Sequence, residues 1–168
     1  MDELSNKVAI VTGSTKGIGK SIAEVFSQKG ANVVVTSRNL SLAKEIVKNL
    51  NSYDTDPIAI KTDVTIDDDI SNLIQTTKDH YGKIDILIDD GGHTNEQQIV
   101  TFLNTVENIK EDGLVIIEDT HTSYLEEFGN PSKYSFINFT ISFYNLFFTN
   151  FIVTMNTLIP FINIKLSN

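Results

Sequence analysis

The sequence predicts an α/β fold, a three-layer sandwich with helices on both faces of a parallel sheet. Three observations predict it. Short β-branched runs and amphipathic stretches alternate in strict β-α-β-α-β-α-β order up to Ile88. The strand runs are almost continuously apolar, as strands covered on both faces must be. A turn carrying Gly13, Gly17 and Gly19 joins the first strand to the first helix, where a parallel sheet meets its first crossover.

The first strand is the VAIV run within Lys7–Thr12. After the glycine turn, Ile18, Ile22, Val25 and Phe26 recur at helical spacing, and Gly30 ends that helix. Asn32–Thr36 (NVVVT) is the second strand, closed by Ser37-Arg38-Asn39. Leu42, Ala43, Ile46, Val47 and Leu50 form the apolar stripe of a second helix. Pro57 opens a third strand, Ile58–Lys61, which runs into Asp63-Val64. Ile70, Leu73, Ile74 and Thr77 mark a third helix, which Gly82 breaks before a fourth strand at Ile84–Ile88. Asp89-Asp90-Gly91-Gly92-His93 turns the chain into a helix bearing Ile99, Phe102, Leu103 and Val106. Asp112-Gly113 then leads into a fifth strand, Leu114–Ile117, followed by Glu118-Asp119.

Bulk properties bound the function. A chain of 168 residues has room for one domain, and 40% hydrophobic residues suffice for one core. The net charge of −9 and a pI near 4.7 argue against a general nucleic-acid or anionic-membrane binder, which needs clustered Lys and Arg. The absence of cysteine excludes disulfides, thiolate metal sites and cysteine nucleophiles. The opening MDELSNKVAI has no basic region ahead of a long apolar core, so a cytoplasmic location is expected. The expected partner is a small-molecule substrate, and an oligomer is compatible with the sequence. From Tyr134 to Ile164 there is no charged residue. Polar residues interrupt the stretch too often for a spanning helix of about 20 apolar residues. Strands or helices packed on the sheet are expected there. Contact with a membrane through 134–164 and an aberrant chain end are the alternatives.

A glycine turn between strand and helix lets backbone approach a pyrophosphate, while the helix N-terminus offers free N–H groups and partial positive charge. Residues of about 5–88 resemble the short-chain dehydrogenase/reductase family. The resemblance rests on TGSTKGIG at Thr12–Gly19, SRN at Ser37–Asn39, DV at Asp63-Val64 and YGKIDILI at Tyr81–Ile88. It implies a Rossmann-like sheet and a nicotinamide cofactor. The pyrophosphate would lie over Gly13, Ser14, Lys16, Gly17, Ile18 and Gly19, and the adenine near Asp63 and Val64. Arg38, at the end of the second strand, and Lys16 are two cations suited to a 2′-phosphate, so NADP is favoured over NAD. Solvated surface charge is the alternative reading of both.

The sequence departs from that family after the fourth strand. Asp89-Asp90-Gly91-Gly92 stands where the family has Asn-Asn-Ala-Gly. The family also uses a Tyr-x-x-x-Lys pair, in which the ammonium lowers the phenol pKa for proton transfer. Four places beyond the five tyrosines stand Pro57, Asp85, Phe128, Asn138 and Phe148. The oxidoreductase expectation therefore lacks its acid–base pair.

Residues of about 85–129 resemble a second family, the macrocin O-methyltransferase-like magnesium-dependent enzymes. The matching stretches are IDDGGHTNEQQIVTFLN at Ile88–Asn104 and GLVIIEDTHTSY at Gly113–Tyr124. That resemblance implies that Asp90, Glu118 and Asp119 bind the metal and that His93 is the base for a substrate hydroxyl. The residues point the same way, because adjacent strand ends bring hard oxygen ligands together and His titrates near neutrality. Acids at strand ends also serve as caps or solvated loop residues. His80 and His121 read as surface or loop positions. Enzymes that use S-adenosylmethionine place an acid at the end of the second strand, where this chain has Ser37-Arg38. The expectation is thus one Rossmann-like domain over 1–168. It comprises a dinucleotide-binding half (1–88), a methyltransferase-like half (89–129) and an apolar tail (130–168). NADP-linked oxidoreductase chemistry comes first, Mg²⁺-dependent O-methyl transfer from S-adenosylmethionine second, and a non-catalytic nucleotide-binding module third.

Overall fold

The computed structural model describes residues 3–125, 127 and 135–140. Most of the uncharged 134–164 stretch, with Pro160, lies outside the described residues. The elements follow in order: β1 (Val8–Val11), α1 (Gly17–Gln28), β2 (Asn32–Ser37), α2 (Leu40–Leu50), β3 (Ile58–Lys61), α3 (Asp67–Tyr81), β4 (Ile86–Asp89), α4 (Asn95–Val106) and β5 (Leu114–Ile117). Short 3₁₀ turns follow α2 at Asn51–Tyr53 and β5 at Thr120–Tyr124.

The five strands form one sheet in the order β3-β2-β1-β4-β5, and every pairing is parallel. Successive strand residues point to opposite faces, and this alternation divides the core. Ala9, Val11, Val33, Val35, Ile86 and Ile88 pack under α1 and α2 with Ala23, Ala43, Ile46 and Leu50. Ile10, Val34, Ile60, Leu87, Val115 and Ile117 pack under α3 and α4 with Leu73, Ile74 and Phe102. The three-layer expectation is met. The order also makes β1 the reversal point: the chain leaves it towards β2 and β3, then crosses back to β4. Ligands of such sheets bind at the carboxyl ends of the strands flanking that point.

Two expectations need correction. The fourth strand begins at Ile86 and includes Asp89, two residues after the predicted start. Ile84 and Asp85 instead lead into it, with the Asp85 amide bonded to the Val8 carbonyl. The apolar stripes also over-reach: Ile18, Val25, Leu42 and Leu103 are exposed. In α1 the buried residues are Gly19, Ala23 and Ser27, whose small side chains bring the helix axis close to the sheet and leave Ile18 and Val25 on its flanks. Residues 135–140 return to the core, where Phe136 is fully buried with its ring centroid 6.2 Å from that of Phe102. Among the described residues no helix is long and apolar enough to cross a membrane.

Candidate functional site

The turn after β1 and the turn after β4 are built against each other. Gly13 has φ +63°, and a Cβ there would lie 2.3 Å from the Asp90 carbonyl oxygen. Both the positive φ and the contact require glycine. A Cβ on Gly91 would likewise meet the Thr12 hydroxyl at 2.8 Å. Thr12 sits between the two turns, its hydroxyl donating to the Asp89 carboxylate and accepting from the Asp90 amide at 3.1 Å. Gly17 differs: it has φ +58°, with nothing within 4 Å of where a Cβ would stand. The backbone there is strained for any other residue and faces open space.

The predicted loop residues divide accordingly. Lys16, Gly17 and Ile18 are exposed. Ser14 is fully buried, and its hydroxyl accepts from the Thr36 amide at 2.9 Å, which ties the turn to β2. Gly19 is buried, and its amide donates to Asp90 Oδ2 at 2.5 Å. Arg38 is exposed at the end of β2. Its charge acts on Asp63 beyond the end of β3, whose carboxyl lies below the usual range chiefly because the Thr65 hydroxyl and amide donate to it. Val64 is half-buried beside Asp63.

The ends of β4 and β5 form an acidic corner. Asp89 pairs with Ile117 across the two strands, and the Glu118 amide donates to the Asp89 carbonyl at 2.9 Å. Burial pushes the Asp89 carboxyl up to about 6, against the Thr12 hydroxyl and the Gly91 amide, which both favour its charge. Burial also raises Asp90, opposed by the Gly19 amide and by His93. Asp119 takes a left-handed conformation, φ 54°, and its two oxygens lie 3.4 Å from His93 Nδ1 and 3.5 Å from His121 Nδ1. His93, Glu118 and Asp119 each bring one ligand atom within 4.8 Å of the others. Asp90, expected among the metal ligands, has a carboxylate oxygen on the Gly19 amide, and His93 completes the three-residue group in its place. His93, expected as the base for a substrate hydroxyl, lies beside the Asp119 carboxylate. His121, expected at a surface or loop position, is half-buried in the turn after β5 in the same corner, while His80 pairs with Asp56 at 2.9 Å. Sequence reasoning passed over Thr12, although its place between the strand and Gly13 is the signal, and Gln98, whose buried amide donates to the Glu118 carbonyl at 3.2 Å.

Residues 7–111 match the family model described as short chain dehydrogenase. The chain belongs to the short-chain dehydrogenase family. The match runs past the junction expected at residue 88, so the Asp89–His93 turn and α4 lie within the dehydrogenase framework. An uncharacterized oxidoreductase of Staphylococcus epidermidis is 35% identical over 102 residues, which are 61% of this chain and 43% of that protein. Versicolorin reductase 1 of Dothistroma septosporum is 40% identical over 90 residues, 53% of this chain and 34% of the relative. The chain therefore spans less than half the length of these curated relatives. A hydroxysteroid dehydrogenase from Escherichia coli superposes with TM-score 0.62 at 26% identity, over 68% of this chain and 56% of that one. A short chain dehydrogenase from Burkholderia cenocepacia, solved in complex with NADP, shares the fold with TM-score 0.62 at 23% identity over the same shares.

Proposed function

We propose that this short-chain dehydrogenase chain binds a nicotinamide dinucleotide, NADP in preference to NAD, and that its reaction class is oxidoreduction. The observation that carries the reading is the bare face of the glycine turn. Gly17 adopts φ +58° with open space before it, at the N-terminus of α1 and beside the reversal point of the sheet. A helix start leaves first-turn amides without intrahelical acceptors. Lys16 gives α1 no side-chain cap and Asp90 takes the Gly19 amide, so a diphosphate fits beside Gly17. Lys16, Gly17 and Ile18 would hold the diphosphate, with Gly13, Ser14 and Gly19 shaping the turn beneath. Asp63 and Val64 would border the adenine, and Arg38 would meet the 2′-phosphate as a planar, permanently charged partner. A bound nicotinamide would donate or accept the hydride. The chain's own residues supply no phenol–ammonium pair, because no tyrosine has a lysine four places on, so binding is the better supported half of the reading.

Thermal unfolding with NADPH and NADH tests it. At a ligand concentration of 100 Kd, binding only to the folded state contributes ~2.7 kcal/mol, which for a chain of this size raises Tm by roughly 5–10 °C. NADPH is expected to give the larger rise, and Arg38→Ala to remove the difference between the two. A Tm indifferent to both dinucleotides at millimolar concentration rejects the reading.

A second reading follows from the acidic corner: a divalent cation held by His93, Glu118 and Asp119. The observation favouring it is the convergence of three ligand atoms within 4.8 Å. An imidazole in the set shifts the preference from Mg²⁺ towards cations that accept nitrogen, such as Zn²⁺. Calorimetric titration with ZnCl₂ is expected to show one site in the wild type and none in Glu118→Gln/Asp119→Asn. Equal heats from both proteins would remove this reading.

A further inference from the structure

The carboxylate of Asp90 takes the place that an anionic ligand's oxygen would take on α1. A helix leaves its first-turn amides without intrahelical acceptors, and the partial positive charge there favours an anion. In α1 the residue before the helix, Lys16, offers no side-chain cap. Asp90, seventy-one residues away in sequence, instead accepts from the Gly19 amide at 2.5 Å. The contact is held from both sides. The Asp90 amide is bonded to the Thr12 hydroxyl at 3.1 Å, and its carbonyl fills the space where a Gly13 Cβ would stand. A backbone shift that withdrew the carboxylate would have to pull apart turns that are packed in contact.

The charged groups facing Asp90 deepen the effect. Glu118 lies within hydrogen-bonding reach of its carboxyl, and Asp119 and His93 act on it through charge. Asp89 precedes it in the chain and feels its charge. Asp119 and Asp89 thus add negative charge around the carboxylate, while the Glu118 hydrogen bond and His93 favour the charged form of Asp90, so the potential at this end of the helix opposes a diphosphate that the helix alone would attract.

We propose that Asp90 is an internal anion that sets the dinucleotide affinity of this chain, by capping α1 with a negative charge beside the diphosphate seat. The inference rests on the reading of the glycine turn as that seat. Asp90→Asn keeps an oxygen for the Gly19 amide and removes only the charge. The wild-type chain and this variant are titrated with NADPH, followed by its fluorescence, and with inorganic pyrophosphate, followed at the Gly19 ¹⁵N–¹H resonance. The variant is expected to bind NADPH about tenfold more tightly, as removal of one nearby unit charge implies, and to bind pyrophosphate more tightly as well. Adenosine, which has no phosphate, is the control and should bind both proteins alike. A variant that binds NADPH equally or less well than a binding wild type overturns the inference and leaves the glycine-turn reading standing. Absence of binding to either protein overturns both. Should Asp90→Asn not fold, the wild type alone decides. Pyrophosphate must move the Gly19 resonance as it settles beside the carboxylate, and an unmoved resonance at saturation overturns the proposal.

Discussion

Asp85 and Asp89 stand four residues apart, one before β4 and one closing it, and they respond to pH in opposite senses. Burial pushes the Asp85 carboxyl up, but the Lys83 ammonium at 2.9 Å, the Val8 amide at 2.9 Å and Lys7 at 3.7 Å outweigh it and hold the group below the usual carboxylate range. A carboxyl depressed in the folded state stabilises it above the unfolded pKa and loses that stabilisation as pH falls through the folded value. Asp89 is raised to about 6. Its contribution is most favourable below the ordinary value of 3.8 and is lost as pH rises through 6. At pH 7, Asp85→Asn should therefore cost about 1–2 kcal/mol, and Asp89→Asn should gain up to ~2 kcal/mol. Urea midpoints between pH 3 and 8 check both. Stability in the Asp89 variant should no longer decline between about pH 4 and 6.5, and a variant weaker than wild type at neutral pH would refute the buried-charge account. The sequence showed that both residues were acidic. Their opposite pH behaviour depends on lysines and amides that arrive from β1 and from the turn before β4, and no local pattern reveals that.

At the scale of elements, α4 carries the most legible local signal. Thr94 accepts from the Gln97 amide and the Gln97 side chain accepts from the Thr94 amide, a complete capping box with the spacing that sequence alone displays. Thr94→Ala should cost about 1 kcal/mol. Faster hydrogen exchange at the first-turn amides of α4, with the other helices unchanged, is the measurement that localises the loss. Helix α3 is equally legible: Asp67, Asp68 and Asp69 open it, complementing its dipole, and Gly82 closes it in a left-handed conformation, φ 76°. Helix α1 was less legible. Of its apolar stripe, Ile22 and Phe26 pack against the core, while Ile18 and Val25 are exposed, because the fully buried contact is made through Gly19, Ala23 and Ser27. Hydrophobicity finds such a helix but draws its buried face too wide where small residues make the contact. The start of β4 was misplaced for a related reason. Ile84 is apolar and fully buried, yet it precedes the strand, and burial alone does not distinguish a strand from its approach.

Across the whole molecule, residues far apart in sequence meet because β1 lies between β2 and β4. Thr12 contacts Asp89 seventy-seven residues away, and Phe136 closes the face formed by α3 and α4. Phe136 stacks on Phe139 and meets Phe102 edge-on, and its amide donates to the Asn95 side chain at 2.8 Å. Phe136→Ala should lower stability by about 3–4 kcal/mol, the transfer and cavity cost of a buried ring. A loss under about 1 kcal/mol in urea unfolding would show that residues 135–140 contribute little to the core. By itself the sequence determined the α/β alternation, the strand-turn-helix setting of Gly13–Gly19, and the cations at Lys16 and Arg38, because periodicity, glycine spacing and charge are local properties. Only the tertiary structure decided what occupies the first turn of α1. The Asp90 carboxylate reaches Gly19 because parallel pairing of β1 with β4 brings their carboxyl ends together, and strand pairing between distant segments leaves no trace in local sequence.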